Sequence, residues 1–143
     1  MYFRLNNSPK LFSGRCLIID PSYIFTDNKT WTSVCKLLKH QQQQVLVDNL
    51  HTLFISDTSS GDGVYPVIVN GATVGSCGVD SGLLSLIPEE VYTYLLTQGG
   101  AGAESQGVWV NIPSPTEVSV GYDLSWTIGP VITNTELTDD FST

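Results

Sequence analysis

The stretch "SGDGVYPVIVNGATVGSCGVDSG", residues 60–82, holds two β-rich runs joined by Asn70-Gly71. A two-residue type I′ turn needs positive φ at both central positions, and Asn and Gly tolerate it best, so this dipeptide is a strong hairpin signal. A hairpin turned there sets an antiparallel register. Asp62 and Asp80 stand almost symmetrically about the turn, so the register predicts that both carboxylates reach the same end of the sheet.

The rest of the chain extends this pattern. "GRCLIID" (14–20) is a short apolar run between Gly14 and Pro21 and reads as a buried strand. "TDNKTWTSVCKLLKH" (26–40) offers Thr26 or Asp27 as an N-cap, with Trp31, Val34, Cys35 and Leu38 at helical spacing. Lys36, Lys39 and His40 lie near its carboxyl end, where the helix dipole favours cations. "QQQQ" (41–44) reads as a connector. From about residue 45 come "QVLVDNL", "HTLFISD", "GVYPVIV", "TVGSCGV" and "GVWVNI", with 116–128 as one long half-buried strand. "PEEVYTYLLTQGG" (88–100) reads as a second helix, with Pro88 and two glutamates in its first turn and Gly99 past its end. The expected fold is α+β: an antiparallel, hairpin-rich sheet of about six to eight strands, covered by two helices over 27–40 and 88–98. The 143 residues fit one domain, 1–143, with an acidic, frayed tail over 134–143.

Charge placement narrows the function classes. All six Lys and Arg lie in the first 39 residues, and twelve of the fourteen acids lie beyond them, within a net charge of −8. A field this negative repels phosphates, so nucleic acid is excluded as a partner and a cationic one is favoured. No apolar stretch approaches the ~18 residues that would span a bilayer, and the amino terminus lacks a signal-like apolar run. The expectation is a cytoplasmic protein with no membrane partner. Three cysteines without a C-x-x-C pair and only two histidines argue against disulfides and structural zinc, leaving reduced, mostly buried thiols. No cofactor is expected, and the oligomeric state is left open.

Asp20, Asp62 and Asp80 each sit at a strand end beside turn residues, where rigid scaffolds tend to carry sites and where Asp also supports turns by itself. With Tyr23 and Tyr65 they form a candidate binding rim of carboxylates and phenols for a cationic or hydrogen-bond-donating ligand. Two alternatives stand beside this. "DTSSGDG" (57–63) offers Asp57, Ser59 and Asp62 as oxygen ligands for a cation, without the acid spacing of an EF-hand. "CGVDSGLLSLIP" resembles the D-S/T-G motif of pepsin-like aspartic proteases. That resemblance implies a homodimer in which two Asp80 carboxylates share a proton. Leu83 stands where that family has Thr or Ser.

Together, "DPSYIFTDNKTWTSVCKLL", "SDTSSGDGVYPV" and "GVDSGLLSLIP" are similar to three patches of a family of small uncharacterised phage and bacterial proteins. That family carries D-P-C/S-Y, a Trp a few residues on, then G-D-G-x-Y and V-D-A/S-G before an apolar-Pro segment. The likeness spans roughly residues 14–90 and implies a viral origin, a location in the host-cell cytoplasm, and no defined activity. Ser22 stands where Cys is commoner, so no metal or redox role falls there. The resulting expectation is a non-enzymatic viral accessory protein that binds and modulates a host protein or small ligand, with anti-defence action within its scope.

Overall fold

The Asn70-Gly71 turn forms as the sequence predicts. In the computed structural model, which describes residues 1–38 and 42–135, Asn70 has φ 51° and Gly71 φ 83°. They join β5 (Gly63–Val69) to β6 (Ala72–Val79). Val69 pairs with Ala72 next to the turn, but Val67 pairs with Gly75, so one extra residue bulges from β6. Beyond the bulge Gly63 faces Val79. That one-residue shift carries Asp62 opposite Asp80, whereas an unbulged ladder would set Asp62 against Val79.

The fold class is α+β, as expected, and the strands divide into two antiparallel sheets. The first has the order β1 (Phe3–Leu5), β3 (Gln42–Val47), β4 (His51–Asp57), β7 (Leu83–Pro88), β2 (Phe12–Ile19) and β8 (Val108–Thr116). The second runs β6, β5, β11 (Val131–Thr133), β10 (Trp126–Ile128) and β9 (Ser119–Val120). Helices α1 (Asn28–Leu37) and α2 (Glu89–Thr97) cover the outer face of the larger sheet. The result is three layers: helices, sheet, sheet.

The central strands supply side chains to both cores. Leu17 and Ile19 of β2 join Leu53, Ile55, Val91 and Leu95 under the helices. Cys16 and Ile18 join Phe54, Tyr65, Val67 and Trp126 between the sheets. A strand covered on both faces reads as a continuous apolar run, as "CLII" does. Asp27 caps α1 by accepting from the Thr30 amide at 2.9 Å. Trp31, Leu37 and Leu38 pack beside Val34, while Cys35 faces outward. Cys16 and Cys77 are buried, which pushes each thiol up to about 12, in Cys16 with help from the Glu90 charge. Neither is a nucleophile at neutral pH.

Several elements differ from the sequence reading. Gln42–Gln44 are not a connector. They form the first half of β3 and pair with Ser56, Ile55 and Phe54, because a ladder partner overrides the weak preference of a glutamine run. The single strand expected over 116–128 is broken by a turn at 121–124. There the Asp123 carboxylate accepts from the Ser125 amide and hydroxyl, Leu124 takes φ 70°, and Tyr122 is fully exposed. This local side-chain capture competes with the ladder. Gly129 at φ 57° followed by Pro130 then turns β10 into β11 in the type II′ order. The strands β1 and β7 were not anticipated. Lys39 and His40, and the expected tail from residue 136, lie outside the described residues. Among those residues no helix is long and apolar enough to cross a membrane.

Candidate functional site

The site is built from three loops at one end of the β5–β6 hairpin. The first follows β2: Asp20 begins a single turn of 3₁₀ helix over Pro21–Tyr23 and accepts from the Ser22 amide at 2.9 Å. Asp20 is fully buried. Its Oδ1 also accepts from the Ser81 hydroxyl at 2.6 Å, and its Oδ2 accepts from the amides of Asp80 and Ser81 at 2.8 and 3.0 Å. Four donors thus converge on one carboxylate, which ties the first loop to the second, Asp80–Gly82. Asp20 braces the rim from beneath and does not face solvent.

The exposed groups above it are Asp80, Asp62 and the partly exposed Tyr23. The Tyr23 hydroxyl donates to Asp80 Oδ2. That hydrogen bond, partial burial and the charges of Asp80, Asp20 and Asp62 push the Tyr23 phenol up to about 12, so it stays a donor at physiological pH. Asp62 leans over the same loop: its Oδ1 lies 3.9 Å from the point where a Cβ on Gly82 would project. The hairpin register therefore brings Asp62 and Asp80 to one rim.

The third loop, residues 57–62, is held from below. Thr58 donates to the Gly82 carbonyl through its amide at 3.0 Å and to the Gly61 carbonyl through its hydroxyl at 2.6 Å. Tyr65 is buried, donates its hydroxyl to the Gly61 carbonyl at 2.7 Å and accepts from the Ser60 amide at 3.0 Å. It belongs to the scaffold of the rim rather than to its surface. Asn134, which the sequence reading did not single out, is also buried. Its amide donates to the carbonyls of Asp57 and Leu124 and accepts from the Ser59 amide. The only sequence trace of this role is that Asn is among the few residues that accept φ near +57°.

The two alternative chemistries meet specific geometry. In the 57–63 loop the Gly61 carbonyl already accepts two hydrogen bonds and the Ser59 hydroxyl is buried, while Asp57 and Asp62 are exposed. Among the described residues no three His, Cys, Asp or Glu side chains are grouped to hold a metal ion. For an aspartic dyad, Asp80 would have to meet the same carboxylate of a second copy. In this chain it accepts from Tyr23, and the Ser81 hydroxyl is turned onto Asp20.

No Lys or Arg follows residue 39. The one ion pair among the described residues, Arg15 with Glu89, joins β2 to α2, where Arg15 also lies 3.9 Å from the centre of the Trp109 ring. The rim carboxylates have no basic side chain as partner among the described residues. Set against known proteins, the chain matches no family model, and no curated protein or solved structure shows significant similarity to it.

Proposed function

We propose that this is a non-enzymatic binding protein whose Asp62–Asp80–Tyr23 rim receives a cationic group from a host protein or small ligand. One observation carries the reading: two exposed carboxylates stand at one end of a hairpin on loops braced by buried Asp20, Tyr65 and Asn134, and among the described residues no basic side chain pairs with them. Braced loops lower the ordering cost of binding, and uncompensated charge steers a positive partner toward the rim. The viral accessory setting, with modulation of a host, rests on the motif resemblance.

A lysine-rich peptide tests the reading. Titrated into the labelled protein, it is expected to shift the amide resonances of Asp62, Asp80 and Tyr23. The Asp62→Asn, Asp80→Asn double variant should weaken binding about tenfold, because exposed ion pairs are each worth roughly 0.2–1 kcal/mol. Shifts that spare this rim, or an affinity indifferent to both substitutions, would sink it.

A further inference from the structure

The sandwich closes along one side and stays open along the other. On the closed side the outer strands β6 and β8 meet. The Cys77 thiol reaches the Ile18 carbonyl at 3.1 Å, and a Cβ on Gly75 would come within 2.9 Å of Val108. On the open side the smaller sheet stops at the two-residue β9, while the larger sheet continues through β3 and β1. Among the described side chains, none from these two strands joins the core shared by the sheets. The corner left between them is a cleft of about 440 Å³, lined by Leu5, Gln44, Phe54, Glu117 and Val118 among others. Its size falls within the roughly 300–1,000 Å³ of small-molecule sites.

Gln44 gives the cleft its chemistry. It pairs directly with Phe54 in the β3–β4 ladder, so the two side chains share the inner face of the sheet. Its Oε1 is buried without a hydrogen-bond partner. A buried acceptor left unpaired is uncommon enough to need a physical reason, and an incoming N–H donor supplies one. Among the described residues of the lining the exposed carboxylate of Glu117 is the one charged group, and Phe54 and Val118 offer apolar surface.

We infer that this cleft binds a small amine with an apolar body: the buried Gln44 carbonyl accepts one N–H, Glu117 balances the charge, and the apolar walls hold the remainder. This site is separate from the rim and does not rest on the reading given for it.

Benzylamine is a suitable probe, with benzyl methyl ether, which keeps the ring and lacks the donor, as comparator. Amide and side-chain resonances of Gln44, Phe54 and Val118 should shift saturably with benzylamine and bind the ether at least about tenfold more weakly. Gln44→Leu, similar in size without the acceptor, and Glu117→Gln, a change at an exposed position that leaves the fold intact, should each weaken benzylamine about tenfold. The inference is overturned by any of three results: no saturable shift up to about 10 mM, equal binding of the ether, or shifts gathered around Asp62 and Asp80 instead of Gln44.

Discussion

Asp20 is the residue whose loss should most disturb the rim without touching its surface. Replacing it with Ala leaves three amides (Ser22, Asp80, Ser81) and the Ser81 hydroxyl without their acceptor in a site closed to water. Hydrogen bonds to a charged group are worth about 1.5–3 kcal/mol each but do not add fully, so Asp20→Ala should cost about 3–5 kcal/mol. Asp20→Asn keeps the shape and sets an NH₂ against two of the four donors, for a cost of about 2–3 kcal/mol. With a urea m-value of about 1–3 kcal/mol/M, the Asn variant should lower the denaturation midpoint by about 0.7–3 M at unchanged slope. Asp57→Asn, at an exposed carboxylate, should stay within about 0.5 kcal/mol of wild type. Amide hydrogen exchange gives the local reading, since Ser22, Asp80 and Ser81 should lose protection together in Asp20→Ala. If that variant keeps wild-type stability and these amides stay protected, the buried carboxylate is not what holds the two loops together.

Other positions yield equally direct tests. Gly107→Ala places a Cβ 2.6 Å from the Ile18 carbonyl oxygen and 2.9 Å from the Ile19 Cβ, one residue before β8. It should cost about 1–3 kcal/mol by denaturation, while Gly78→Ala, with open space around it, should change stability by less than about 0.5 kcal/mol. Gly71→Ala forces an L-residue into φ 83° and should cost roughly 1–2 kcal/mol, read by the same assay. Tyr23 predicts a dependence at high pH. Its phenol is raised from 10 to about 12, so its stabilising contribution is complete below pH 10 and lost as pH rises through about 12. Ultraviolet titration should show a late-ionising phenol that disappears in Tyr23→Phe. Asp48 behaves oppositely: the Tyr94 hydroxyl and then the Tyr2 amide hold its carboxyl below the usual range. Its contribution is present above the ordinary Asp value and lost as pH falls through the folded one, which the Tyr2 amide resonance should report during acid titration.

What the sequence made legible follows from how local each signal is. The Asn70-Gly71 hairpin, the Asp27 cap and the second helix depend on backbone preferences within a few residues, and each formed where expected. That Asp62 and Asp80 reach one end of the sheet was also legible, but their direct opposition was not, because the bulge in β6 that produces it has no marker in "NGATVG". The second sheet was hidden because alternation over 116–128 looks the same whether the chain runs straight or turns back at Asp123. The Gln42–Gln44 segment was hidden because its conformation comes from its ladder partner in β4. Within the site, the sequence marked the Asp and Tyr positions by type. It did not separate buried braces such as Asp20 and Tyr65 from exposed Asp62 and Asp80, since that distinction arises only when three loops pack together. Asn134 escaped notice because its partners lie 10 to 78 residues away.

The central claim is that Asp62 and Asp80 act as one receptor for a positive charge. A double-mutant cycle measures this directly, using calorimetric affinities of a lysine-rich peptide for wild type, Asp62→Asn, Asp80→Asn and the double variant. One cation shared by both carboxylates predicts that either single substitution removes most of the binding, with a coupling of at least about 0.5 kcal/mol between them. Losses that simply add, or no loss in any variant, would contradict a shared site.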